Sequence, residues 1–153
     1  MADRKLLIAK ISSVETAQRR KGTNSMKKTQ ELVLLYNFQN TEKARKLKAV
    51  LIQMGIRIKN VEKEAYLEPI GSLCGIEGIE KTDKQYEGEG FPEEMLVMKG
   101  MSGGRVDTLL TLLRKNKVER IQLKAILTET NQQWNSLELY EELKKEHEAM
   151  SKQ

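Results

Sequence analysis

ELVLLYNF, residues 31–38, is a nearly unbroken apolar run of strand length. A strand with one wet face alternates polar and apolar side chains, so a run without alternation describes a strand buried on both faces. A second run of the same kind, EMLVM (94–98), lies further along the chain. Each run is followed by a helical pattern and then by an alternating strand. After the first, Leu47, Val50, Leu51 and Met54 mark one helix face, with Asn40 or Thr41 placed as N-cap and Gly55 as terminator. IRIKNV (56–61) then alternates. After the second, Val106, Leu109, Leu110 and Leu113 mark a helix, and RIQLKAIL (120–127) alternates through Ile121, Leu123, Ala125 and Leu127. EPIGSLCGI (68–76) reads as a short helix with Pro69 in its first turn, and Leu139, Tyr140 and Leu143 mark a last helix running to about Ala149. Glu31 aligns with Glu94, and the order β-α-β-α occurs twice.

The two kinds of strand predict a layout. Strands 1 and 3 belong in the centre of a sheet. Strands 2 and 4 belong at its edges, with Arg57, Lys59, Gln122 and Lys124 facing outward, where lysines guard against edge-to-edge pairing. This predicts an α/β (α+β) domain: a ferredoxin-like split βαβ sheet of four strands, with two additional helices over its second face. A four-stranded parallel α/β sheet is the alternative. The domain spans about residues 30–150, and residues 77–92, EGIEKTDKQYEGEGFP, are expected to form a flexible loop because they hold glycines, a proline and charges without periodicity. Residues 1–29 form a basic N-terminal segment. A loose tail and a short amphipathic helix through Leu7, Ile11 and Val14 both fit it.

A length of 153 residues suits one domain, and no apolar run approaches the roughly 18 residues of a membrane span. No signal peptide is visible, and a single cysteine, Cys74, excludes an internal disulfide and a cysteine zinc cluster. The expected setting is the cytoplasm, with no membrane partner, metal or cofactor. The pI near 9.2 suggests nucleic acid until the charge is located. Residues 1–30 hold eight Lys/Arg against Asp3 and Glu15, a net of +6, whereas the other 123 residues hold 19 basic and 20 acidic side chains. A nucleic-acid partner would therefore use the N-terminal segment and not the folded part.

Two β-to-α corners concentrate polar groups. In MKGMSGGRVDTLL (98–110), backbone amides near Gly103 and Gly104 at a helix N-terminus suit an anion, with Ser102 and Arg105 beside them. The segment lacks both the Walker lysine and a spaced G-x-G-x-x-G, so it is no known nucleotide loop. Its simpler reading is a turn at Gly100 and a cap at Ser102. In TETNQQWN (128–135), Asn135 with Glu138 forms the pattern of a capping box, and Trp134 is placed to staple the last helix to the sheet. Thr128, Thr130 and Asn131 supply more polar groups than one cap requires. The candidate ligand residues are therefore Ser102, Gly103, Gly104, Arg105, Thr128, Thr130, Asn131 and Trp134, at one end of the sheet. An anionic small molecule or a protein partner would fit them. Cys74 reads as a buried structural thiol and His147 as a solvated residue. No carboxylate pair or Ser/His/Asp set stands out, which favours a non-enzymatic binding or regulatory module over a small enzyme using these two corners.

The stretches MLVMKGMSGGRVDTLL and LKAILTETNQQWNSLELYEELKKEH resemble a family of small bacterial proteins catalogued as a domain of unknown function. The likeness runs over residues 94–147 and more loosely over 31–75. It rests on Gly100, Ser102, Arg105 and Asp107, then on Leu123, Lys124, Ala125, Leu127, Thr128, Thr130, Asn131 and Trp134. It implies bacterial origin and supplies no catalytic residue.

Overall fold

The computed structural model describes residues 31–151. The basic N-terminal segment, with Leu7, Ile11 and Val14, lies outside the described residues. Strand β1 (Leu32–Tyr36) leads through helix α1 (Glu42–Gln53) to β2 (Arg57–Asn60), a 3-10 turn (Lys63–Ala65) and a short helix α2 (Ile70–Leu73). After the long loop come β3 (Met95–Lys99), α3 (Gly103–Lys115), β4 (Leu123–Ile126), a second 3-10 turn (Asn131–Gln133) and α4 (Ser136–Ser151).

The sheet runs in the order β2-β1-β3-β4. β1 and β2 are parallel, β3 and β4 are parallel, and β1 pairs antiparallel with β3, so that Leu34 faces Val97. The α+β class, the four strands, the central pair and the two edges agree with the sequence reading. The antiparallel seam excludes the fully parallel sheet. The neighbours also differ from the ferredoxin-like split, in which β4 stands beside β1 and strand 1 separates β3 from β4. Here both βαβ units are unsplit. The reason is local: Gly55, at φ 74, turns the chain at the end of α1, and Ile56 donates to the Leu51 carbonyl. Arg57 then donates to the Glu31 carbonyl, which starts β2 in register against β1. An edge strand shows the same burial pattern beside either central strand, so periodicity does not choose between the two orders.

Alternation within the central strands feeds two cores. Val33 and Leu35 with Leu96 and Met98 pack under α1 and α3, against Leu47, Leu51, Val106 and Leu109. Leu34 and Tyr36 with Met95 and Val97 face the other side, where α2 and α4 supply Ile70, Leu73, Leu139 and Leu143. The helices after strands 2 and 4 thus cover the second face, as the pattern predicts. The helix caps are the predicted ones. Thr41 accepts from the Ala44 amide at 3.2 Å, Ser102 accepts from the Arg105 amide at 3.2 Å, and Asn135 and Glu138 exchange two 2.9 Å bonds as a capping box. One expectation fails at an edge. β4 is buried throughout, and Lys124, expected to face outward, is only 8% exposed. It lines a cleft beside Leu113, Val118 and Ile121, and its amine turns back to the Ile121 carbonyl.

The central seam is tied at both ends by corresponding pairs. Glu31, just before β1, takes a two-pronged contact from Arg105 in the first turn of α3, at 2.8 and 2.6 Å. Glu94, just before β3, takes a single contact from Lys43 in the first turn of α1, at 2.6 Å. Each unit's leading glutamate therefore grips the other unit's helix, which is the physical content of the alignment of Glu31 with Glu94.

Residues 77–92 contain no helix or strand, yet two of their rings are anchored. Tyr86 and Phe91 stack on Tyr66, and Phe91 stacks on Tyr140 of α4 at 4.1 Å between centroids. Asn37, at φ 66, donates to the Phe91 and Glu93 carbonyls and fastens the end of this loop to β1. Beyond it, the Tyr140 hydroxyl donates to Glu93 at 2.6 Å and Lys144 pairs with the same carboxylate at 3.1 Å.

Leu34 and Val97 are wholly buried at the middle of the seam, so Leu34→Asp or Val97→Asp places an unpaired charge between two cores. Either variant is expected to lose the cooperative thermal transition, because the burial costs several kcal/mol; a wild-type melt would contradict the doubly buried seam. At Glu93, partial desolvation raises the carboxyl pKa, but the hydrogen bonds from Tyr140 and Lys144 outweigh it and the net shift is downward. A carboxyl with a lowered folded pKa stabilises above its unfolded value, about 4.3, and loses that contribution as pH falls through the folded value. Glu93→Gln should therefore lower the melting temperature at neutral pH, and its gap from wild type should close below about pH 4. Melts as a function of pH measure both.

Candidate functional site

In open α/β sheets, ligands collect outside the carboxyl ends of parallel strands, where successive connections leave for opposite faces. This sheet has two such places. After β3 the chain enters α3 on one face, and after β4 it enters the 128–135 corner and α4 on the other. After β1 it enters α1, and after β2 it enters the Lys63–Ala65 turn and α2 on the other side. Because β1 and β3 are antiparallel, the two carboxyl edges lie at opposite ends of the sheet.

The sequence-predicted residues follow β3 and β4, and their side chains are largely engaged by the fold. The Ser102 hydroxyl caps the Arg105 amide. Arg105 spends its guanidinium on Glu31 and, at 2.7 Å, on the carbonyl of Met54 at the end of α1; the bond to Glu31 holds its pKa above the ordinary value. Gly103 and Gly104 form the first turn of α3, and Gly104 is exposed. Thr128 and Asn131 close a reciprocal pair. The Thr128 amide donates to Asn131 Oδ1 at 2.8 Å, and the Asn131 amide donates to Thr128 Oγ1 at 3.0 Å. Asn131 Nδ2 also reaches the Ile126 carbonyl at the end of β4, at 3.0 Å. Asn131 is buried and Thr130 is exposed.

This corner also carries α2. The Trp134 carbonyl accepts from the Ile70 amide at 2.8 Å, while its half-buried ring packs on the second core. Gly71 approaches so closely that a Cβ there would meet the Gln132 carbonyl at 3.0 Å. Behind it, Ser136 is fully buried and its hydroxyl shares a 2.7 Å bond with the Tyr36 hydroxyl at the end of β1. The polar excess in TETNQQWN is thus a bracket for two helices.

The β1/β2 edge is different. A polar crevice of about 330 Å³ opens there, lined among others by Gln39, Lys48, Asn60, Glu62, Lys63 and Tyr66. Gln39 follows β1, Lys48 stands on α1, and Asn60 to Tyr66 follow β2, so both walls of the strand-end crevice contribute. Sequence reasoning passed over these residues. The signal was the internal repeat: if SGGR after the third strand deserved attention, so did NFQNT after the first. A second cleft of about 300 Å³, with an apolar floor including Leu110, Leu113 and Ile121, lies at the other side of the sheet beside Arg114 and Lys124.

Cys74 is buried, and burial pushes its thiol up to about 11 against the opposing pull of Lys99 and Lys59, which suits an inert core thiol. His147, expected to be solvated, is half-buried on α4.

Comparison with known proteins adds one family. Residues 94–150, from the residue before β3 to the end of α4, match the model of a domain of unknown function (DUF3783). No curated protein matches. No solved structure matches. Among the described residues no helix is long and apolar enough to cross a membrane.

The bracket reading separates neighbouring positions. Asn131→Ala removes the acceptor of the Thr128 amide and the donor to the Ile126 carbonyl at a buried site, and should cost about 2 kcal/mol. Thr130→Ala, one residue earlier and exposed, should stay within about 0.5 kcal/mol of wild type. Urea unfolding of the two variants makes the comparison; equal stabilities would remove the structural assignment of Asn131.

Proposed function

We propose that this chain is a cytoplasmic, non-enzymatic module that binds a small ligand at a carboxyl edge of its sheet and acts through the change this makes in stability or shape. One observation carries the reading: an open polar crevice of about 330 Å³ stands at a topological switch point, where two walls from different layers converge. The chemistry of the lining supports binding over catalysis. It offers amides, two ammonium groups and one carboxylate, without a nucleophile held by a base. The β3/β4 edge, with the backbone of Gly103 and Gly104, remains the secondary location, since its polar side chains already have partners in the fold.

A thermal-shift screen of the chain against inorganic phosphate, nucleotides and short carboxylates tests this. A ligand at 100 times its dissociation constant adds about 2.7 kcal/mol, a clear rise in midpoint for a domain of this size. At least one compound is expected to raise the midpoint in a saturable way. If none does at millimolar concentration, the small-ligand reading fails and a protein partner takes its place as the leading reading.

A further inference from the structure

The crevice at the β1/β2 edge has walls from two layers that otherwise meet only through the sheet. Lys48 belongs to α1, packed on one face through Leu47 and Leu51. Lys63 belongs to the 3-10 turn whose neighbours Val61 and Tyr66 pack on the other face. Between them lie Asn60, the last residue of β2, and Gln39, just past β1. Among the described residues, neither ammonium group has an ion-pair partner. Glu62 is the one carboxylate on the lining, so cationic side chains outnumber it.

Lys63 is also positioned. A Cβ placed on Gly90 would meet Lys63 Cδ at 3.3 Å, Lys63 Cγ at 3.4 Å and Tyr66 Cε2 at 3.1 Å. The aliphatic stem of Lys63 therefore lies against Gly90 of the long loop, where φ is +74 and no side chain intervenes. Holding the stem leaves less rotamer freedom to lose when the amine takes a ligand. Tyr66, at the back of the crevice, stacks on Tyr86 and Phe91 of the same loop. The crevice is thus wired to both helical layers and to residues 86–91.

We propose that the β1/β2 crevice is a site for a compact dianion, a phosphate group or a short dicarboxylate, clamped between Lys48 and Lys63 with Asn60 and Gln39 as neutral hydrogen-bonding groups. This rests on the small-ligand reading above and assigns it a place and a charge. Two lysines on the lining, one from α1 and one from the Lys63–Ala65 turn, match a ligand with two anionic oxygens better than a singly charged one, which would leave one of them unanswered. Occupation joins α1 to the Lys63 turn across the strand ends.

Titration calorimetry of the full chain with inorganic phosphate and, separately, malonate tests the assignment and distinguishes the two sources. Saturable binding of either probe is expected. Lys48→Gln and Lys63→Gln should each weaken it by about tenfold, and Glu62→Gln should tighten it. Lys115→Gln, an exposed control on α3, should leave it unchanged. Tightening by Glu62→Gln separates a charge effect at the site from a general loss of structure. Wild-type affinity in both lysine variants overturns the site. So does failure of both probes when another compound from the thermal-shift panel binds, and the small-ligand reading then survives without it. Failure of every compound overturns both.

Discussion

The antiparallel pairing of β1 with β3 makes one sheet out of two βαβ units. Each unit on its own has a helix over one face of two strands, and its inner strand is apolar on both sides. Joining the inner strands turns four half-covered surfaces into two continuous cores, one under α1 and α3 and one under α2 and α4. The joint depends on matched apolar pairs, Val33 with Met98 and Leu35 with Leu96 on one face, Leu34 with Val97 on the other. Dispersion and the hydrophobic effect supply the attraction. The two half-buried glutamate–cation pairs at the ends of the seam add direction, since a slipped register would separate each charge from its partner.

That joint decides what the two carboxyl edges become. Arg105 sits at the amino end of α3, beside the start of β1, and is drawn to Glu31 and the Met54 carbonyl. The counterpart on α1 is Lys43, which answers Glu94 and brings no guanidinium fork. The corner after β4 must also support α2 and α4, because the short α2 has too few residues to seat itself. Asn131, Trp134 and the buried Ser136 provide that support. The corner after β2 has a lighter duty. Its polar side chains line an open crevice, while the Tyr66 carbonyl accepts from the Ser136 amide at the start of α4 and the Tyr66 ring packs with Tyr36, Tyr86 and Phe91. Both corners carry structural bonds, and the open crevice lies beside those of the β1/β2 edge.

Much of this could be read from the chain because the signals were local. Unalternated apolar runs named the two central strands, helical spacing named the buried faces of α1 and α3, and Thr41, Ser102 and the Asn135–Glu138 pair named the caps of α1, α3 and α4. Cys74 was legible as a core thiol from its apolar surroundings. The illegible parts are long-range. Nothing near Arg105 in sequence tells that Glu31 will meet it, so its charge read as free for an anion. Lys124 looked solvent-facing because alternation does not reveal what lies beyond an edge strand. The order of the edge strands was hidden for the same reason. As for the site, the sequence places its candidates after strands 3 and 4 and weighs their polar groups without counting the backbone partners they meet. The β1/β2 crevice escaped notice because its residues come from three separated stretches, each unremarkable in itself.

A seam between two similar units joined by one long connection has a consequence for association. The surface that β1 offers to β3 is the same whether β3 belongs to its own chain or to a neighbour, and the leading glutamates would find the same cations. Within one chain, the two inner strands meet because residues 77–92 span the distance, with the rings of Tyr86 and Phe91 pinning their path. A deletion that left this connection too short to fold back would give two chains reason to complete each other's sheets, each lending its second unit to the other. The loop that carries no element of its own thus lets a single chain supply both halves of the sheet.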